Sequence, residues 1–185
     1  WTPAFIYTIS GIGYEPTGDF FIGENKVDKQ NTPDELSLLL KIGLLCNNSR
    51  IVRPSDENPS WNIIGDPTEG SLVVAAEKAG FIREEVLGEY PLVYELPFDS
   101  RRKRMTSIHN TGEDIYVFTK GAPKETISAC NYIFKGKEGI KNIDKEDIEN
   151  IIKQNDRFAK DGLRVLAMAY KKIDKNDNDY TIENT

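Results

Sequence analysis

Apolar positions along this chain change their spacing several times, and each change marks an element. Leu36, Leu39, Leu40, Gly43 and Leu44 recur at helical intervals, which predicts a helix ending near Asn47-Asn48. Ahead of it, Thr32-Pro33-Asp34-Glu35 reads as a cap, a proline at the first position and a capping-box glutamate. The same grammar returns at Asp66-Pro67-Thr68-Glu69, before Leu72, Val73, Ala76 and Ala79, with Gly80 as the stop. A strand is predicted over 61–64 and a short helix over 83–87. The runs 91–96, 104–109 and 114–119 are rich in Val, Ile, Tyr or Thr. Asp99-Ser100 and Asn110-Thr111-Gly112 separate them as turns, so the three strands should be antiparallel neighbours. A helix is predicted over 122–129, a longer one over 145–161 between Asp144 and Gly162, and a last strand over 163–171. Residues 1–30, with their Gly, Thr and aromatic residues, suggest short strands and turns. The tail after Ile173 is polar. Without a regular strand–helix–strand rhythm, the class is α+β, a mostly antiparallel twisted sheet flanked by helices.

Composition narrows the function. The chain has 185 residues, 38% hydrophobic and 29% charged, which fits a folded unit with a real core. The net charge is −6 and the pI about 5.0, against general nucleic-acid or membrane-surface binding. Cys46 and Cys130 lie far apart, without metal-ligand spacing, and with one histidine a zinc site is not expected. Two cysteines make no disulfide framework, so a reducing compartment is the default. The apolar run 36–46 is too short to cross a bilayer. No leader pattern is visible, and the chain opens on Trp1-Thr2-Pro3 without Met, so a segment of a longer protein is expected.

The usual catalytic sets are missing. Gly11-Ile12-Gly13 is followed by Tyr14-Glu15-Pro16 rather than a third glycine, and no phosphate-binding Walker loop is present. The lone His109 falls in a predicted strand and reads as structural or exposed. Four short stretches remain: Gly65-Asp66-Pro67-Thr68-Glu69, Leu96-Pro97-Phe98-Asp99-Ser100-Arg101-Arg102-Lys103-Arg104-Met105, Thr119-Lys120-Gly121-Ala122-Pro123, and Asp161-Gly162-Leu163-Arg164-Val165-Leu166-Ala167. Each alone has a plain reading: a helix cap, exposed loop charge, a turn, and a helix stop before a strand.

In this order, and with Cys46-Asn47-Asn48 after the first long helix, they resemble the nucleotide-binding domain of P-type cation-transporting ATPases, over about residues 35–170. The calcium-type pumps are the nearest branch, with sodium/potassium and magnesium relatives behind. The heavy-metal branch carries a His-Pro pair, whereas His109 precedes Asn110. The resemblance implies an ATP site. Phe98 would stack on adenine, a contact worth roughly 1–3 kcal/mol. Glu69 would accept from the exocyclic amine. Lys103 and Lys120 would line the pocket, Lys120 near the base with the phosphates beyond. Arg164 would balance phosphate charge from the last strand, and Met105 and Gly121 would shape the floor. No residue is expected to be catalytic or to bind metal.

Two departures stand out. Some calcium pumps carry an arginine where this chain has Ser100, so Arg101 or Arg102 would have to replace it. The family's Lys-Gly-Ala-Pro-Glu appears as Lys120-Gly121-Ala122-Pro123-Lys124, with Glu125 one place later. The phosphorylated aspartate in its Asp-Lys-Thr-Gly-Thr motif is not in this sequence, nor is the acidic magnesium motif. The resemblance therefore implies one cytoplasmic nucleotide-binding domain over 1–185, with 172–185 as a linker, cut from a membrane pump. ATP, as Mg-ATP, would be its ligand, with Mg2+ held mainly by a separate phosphorylation domain. That domain and the actuator domain of the full chain would be its partners, and nucleic acid would not. A few stacking and charge contacts suggest an affinity on the order of 0.1–1 mM. Two other readings compete: a nucleic-acid or targeting module on Arg101 to Arg104, and a purely structural or protein-interaction domain.

Strict strand alternation puts Phe98 and Lys103 on opposite faces. For both to meet one ligand, the chain must turn or bulge between them. A strand–turn–strand is expected there, with Arg101 and Arg102 toward solvent.

Overall fold

The computed structural model describes residues 1–173, which form two compact units, Trp1–Gly88 and Glu89 onward. In the first unit, β1 (Tyr7–Ile9), β2 (Phe20–Ile22) and β3 (Asn25–Lys26) make a small antiparallel sheet in that order. Two helices, α1 (Asp34–Leu45) and α2 (Pro67–Lys78), carry the core between them. Leu36, Leu40 and Leu44 line one stripe of α1, and Val73 and Ala76 are buried on α2. The strands β4 (Arg50–Val52) and β5 (Asn62–Ile64) pair antiparallel between the helices in sequence. The short α3 (Arg83–Glu89) follows. Lys78 is buried, and its ammonium donates to the Ser10 carbonyl at 2.7 Å, which ties the N-terminal arm to α2.

The cap of α1 differs from expectation. Pro33 occupies the cap position with no side-chain hydrogen bond. The Thr32 hydroxyl donates instead to the Lys29 carbonyl, because a short 3-10 turn (Lys29–Asn31) ends there. Glu35 is buried rather than turned back on the cap.

The second unit is built on one antiparallel sheet. Its strands are β6 (Leu92–Asp99), β7 (Arg104–Asn110), β8 (Ile115–Gly121) and β11 (Ala167–Ile173), in the order β11-β8-β7-β6. Between β8 and β11 come α4 (Pro123–Ile127), the paired strands β9 (Tyr132–Phe134) and β10 (Ile140–Asn142), and α5 (Lys145–Lys160). Asp144 caps α5 in a reciprocal capping box with Asp147. Lys135 pairs with Asp147 at 2.6 Å, which links β9 to the start of α5. The central strands β7 and β8 are buried along most of their length. One face of the sheet carries the apolar cluster Ile108, Ile115 and Val117, with Ile173 against it. The other carries Met105, Ser107, His109, Phe118 and Lys120, all buried.

The antiparallel α+β architecture matches the pattern of the sequence. The last strand starts later than expected, at Ala167 opposite Gly121. The amides of Gly162 and Leu163 are bound to the carbonyls of Ala159 and Phe158, and Gly162 takes φ 77°. Those bonds close the end of α5, so residues 161–166 are a loop and pairing waits for Ala167. Lys172 and Ile173 end β11, and the rest of the expected linker lies outside the described residues.

Candidate functional site

In the first unit, Glu69 is placed by the cap of α2. The Asp66 carboxylate accepts from the amides of Thr68 at 2.8 Å and Glu69 at 3.2 Å, with Pro67 at the first helical position. That frees the Glu69 side chain from capping duty. Its Oε2 instead accepts from the Asn48 amide at 3.1 Å. The buried Asn47 amide nitrogen donates to the carbonyls of Gly43 at 2.8 Å and Glu69 at 2.9 Å. The Ser49 hydroxyl donates to the Asp66 carbonyl at 3.1 Å. Gly65 has φ 118°, and a Cβ there would come within 2.2 Å of Ser49 Oγ, so only glycine fits. Arg83 donates to the carbonyls of Leu44 and Asn47, both at 3.0 Å, and satisfies the end of α1. Burial lowers its pKa, with nearby acidic groups, Glu69 among them, opposing. Asn47, Asn48 and Ser49 thus hold the α1 end against the α2 start, and Glu69 is half-buried at that junction.

In the second unit, the ends of β6, β7 and β8 gather five of the predicted residues. Leu96 pairs with Thr106 and Asp99 with Arg104, so Pro97 and Phe98 together oppose Met105 in a bulge. The turn expected between Phe98 and Lys103 follows this bulge, after Asp99. Phe98 is 64% exposed and available for stacking, while Met105 beside it is buried. Met105 pairs with Lys120, and Lys120 with Met168, which puts the three side chains in one row on one face. Lys120 is 5% exposed.

Between β6 and β7 the chain turns over Ser100 to Lys103. Asp99 Oδ1 accepts from the amides of Arg101 and Arg102, both at 2.9 Å. The Arg102 amide chiefly, then that of Arg101, holds the Asp99 carboxyl below its usual range. Lys103 takes φ 51°, the left-handed region, and its amide donates to the Asp99 carbonyl at 2.6 Å. The Lys103 ammonium lies 2.6 Å from Glu125 Oε1 on α4. That bond is the largest cause holding Glu125 below the ordinary glutamate value. Arg101 points to solvent as expected, its side chain 91% exposed. Arg102 does not: it is half-buried, folded over the turn, with Nη2 3.5 Å from the Pro97 carbonyl.

Gly121 is small for a reason within the sheet. A Cβ there would come within 2.5 Å of both Arg104 Cβ and the Lys103 carbonyl oxygen. Arg164 lies exposed in the loop before β11 rather than on the strand, three residues ahead of the pairing of Ala167 with Gly121. The sequence reading missed Glu125 as the partner of Lys103. Its displacement by one place from the expected pattern was the only signal, and α4's first turn is what brings it round. Among the described residues no cluster of His, Cys, Asp and Glu is arranged to hold a metal ion, and no helix is long and apolar enough to cross a membrane.

Residues 35–185 match the family model described as P-type ATPase, cytoplasmic domain N. The chain is 36% identical over 176 residues, 94% of its length, to a calcium-transporting ATPase of Bacillus subtilis. It is 33% identical to a cation-transporting ATPase of Synechocystis, over 91% of its length. A sodium/potassium exporting P-type ATPase of Schizosaccharomyces pombe is 36% identical over 82% of the chain. The matches span 19%, 18% and 14% of those relatives' own lengths.

Proposed function

This chain belongs to the family of P-type ATPase cytoplasmic N domains, and from that premise we propose that it holds ATP for a cation-transporting pump. It acts as one nucleotide-binding domain on the cytoplasmic side of a membrane protein, and the pump as a whole is the enzyme. The γ-phosphate goes to an aspartate in a separate phosphorylation domain, where Mg2+ is also held. This domain contributes position rather than bond-making groups, and alone it hydrolyses nothing.

The observation that carries the reading is the bulge opposite Met105. It leaves an exposed aromatic, Phe98, next to a row that contains a buried lysine, Lys120, and next to a turn that presents Lys103. A flat base and a polyanionic tail need that pairing of an open ring with fixed cations. Gly121, packed on the backbone of Lys103 and Arg104, holds the turn against β8. Arg164 supplies a guanidinium for phosphate; for Glu69, the resemblance of Asp66-Pro67-Thr68-Glu69 to the family pattern supports the role of acceptor for the adenine amine. Calcium is the proposed cargo, because relatives named for calcium are among the most similar. Sodium/potassium export is the second reading, supported by an equally high identity to a relative of that name.

Titration with millimolar ATP should shift the amide signals of Glu69, Phe98, Lys120 and Arg164. Phe98→Ala should then weaken ATP binding by about 1–3 kcal/mol with the fold intact. Unmoved signals at those residues would sink the site, and an unchanged affinity in Phe98→Ala would remove the stacking role.

A further inference from the structure

The Lys103–Glu125 pair joins one of the residues proposed to meet phosphate to a carboxylate that no phosphate would welcome. Its geometry is set before any ligand arrives. The Lys103 backbone is pinned on both sides: its amide donates to the Asp99 carbonyl at 2.6 Å, and its carbonyl accepts from the Ala122 amide at 2.9 Å. Glu125 is anchored in α4, where its carbonyl accepts from Arg104 Nη1 at 3.3 Å and from the Ser128 hydroxyl at 2.9 Å. Between these anchors the ammonium and carboxylate meet at 2.6 Å, with side-chain exposures of 55% and 33%. Both groups remain reachable by a solute.

We propose that Glu125 is an affinity-setting counter-charge, whose carboxylate competes with the nucleotide's phosphates for the Lys103 ammonium. This rests on the reading of the chain as an ATP-holding domain. Two physical effects act together. The ammonium's charge is partly neutralised before the phosphate arrives, so the attraction available to the ligand is smaller. The carboxylate also stands within ion-pair distance of the ammonium, so a phosphate oxygen that reaches Lys103 meets a like charge nearby. Both effects grow with the number of phosphates and vanish for a ligand that has none. A surface ion pair that merely braced the turn would touch every nucleoside alike. The consequence is a site held weak by construction, from which a spent nucleotide leaves easily. Glu125 stands in the first turn of α4, one place after Lys124, and from there its carboxylate reaches Lys103.

The test compares wild-type protein with Glu125→Gln, and with Glu125→Ala as a second variant, by titration with ATP, AMP and adenosine at low ionic strength. Removing the charge should tighten ATP by about two- to fivefold, the range expected for an exposed charge pair. AMP should gain less and adenosine nothing. In a Lys103→Met background the gain should disappear. If wild-type protein binds ATP and neither Glu125 variant binds it more tightly, the competition is wrong while the site stands. An equal gain for adenosine also overturns it, since the contact would then be structural. If no variant and no wild-type sample binds ATP, the ATP-site reading fails first and this proposal goes with it.

Discussion

His109, the only histidine in the chain, is fully buried, and its ring shows how one residue can make stability depend on pH. Nδ1 is 2.8 Å from the Tyr90 carbonyl and Nε2 is 2.9 Å from the Ser107 hydroxyl. A carbonyl only accepts, so Nδ1 carries the proton and Nε2 accepts from Ser107. Phe118 lies against the ring, 5.4 Å between centroids. Burial lowers the His109 pKa, with the bond to the Tyr90 carbonyl opposing. The unfolded chain therefore binds a proton that the folded chain resists, and the fold is favoured at higher pH. The contribution is whole above about 6.5, the ordinary histidine value, and is lost as pH falls from there toward the lowered folded value. Denaturant unfolding should show a falling midpoint between about pH 7.5 and 5, and a shallower fall in His109→Gln, while the buried Trp1 α-amino group adds a slope of the same sign in both proteins. The lowered carboxyls Asp99 and Glu125 titrate below this window, so they do not mimic it. An identical slope in the variant would assign the effect elsewhere.

At the scale of elements, the cap of α2 makes the sharpest claim. Asp66 satisfies two orphan amides and thereby fixes the turn on which Glu69 sits. Asp66→Ala should cost about 0.5–2 kcal/mol, and Asp66→Ser should restore most of it. Equal denaturant midpoints for all three proteins would mean that the Ser49 and Asn47 bonds hold the junction without the cap. This element was legible because Asp-Pro-x-Glu is a local code, settled within one turn of helix. So were the strands β7 and β8, whose patterning reflects burial on both faces. Where sequence misled, a competing local hydrogen bond had claimed the group. Thr32 carries the same cap chemistry as Asp66, but the turn at Lys29–Asn31 takes its hydroxyl. Arg164 sits in a strand-like run, yet the closure of α5 holds Gly162 and Leu163 out of the sheet. The turn after Asp99 was legible from its turn residues, while the bulge at Pro97–Phe98 was not, because it depends on the register with β7. The partner of Lys103 left only the displaced position of Glu125 as a sign in the sequence, because the pairing depends on how α4 starts.

At the scale of the whole molecule, charge decides between a small polyanion and a long one as the ligand of the basic turn. Residues 1–88 hold seven Lys and Arg against thirteen Asp and Glu, which accounts for the entire net charge of −6. Residues 89–185 are balanced, seventeen against seventeen. The four consecutive basic residues thus stand in a unit with no cationic surplus, and acids answer two of them: Asp99 lies 3.6 Å from Arg101 Nη2, and Glu125 pairs with Lys103. Binding a nucleic acid draws its strength from counterions released along a track of unpaired cations, with a salt slope near −0.7 per phosphate met on a single strand. No such surplus exists to supply the track. A nucleotide is different. Its phosphates fit within about one Debye length, roughly 8 Å at physiological salt, so only the few nearest cations count and the distant acids are screened. ATP should therefore bind at physiological ionic strength, and a single-stranded oligonucleotide of about 20 nucleotides should neither bind appreciably there nor displace ATP. Fluorescence anisotropy of a labelled oligonucleotide, with ATP as competitor, tests this directly. Oligonucleotide binding with a steep salt slope, indifferent to ATP, would make the basic turn a nucleic-acid contact and the exposed Phe98 its stacking platform.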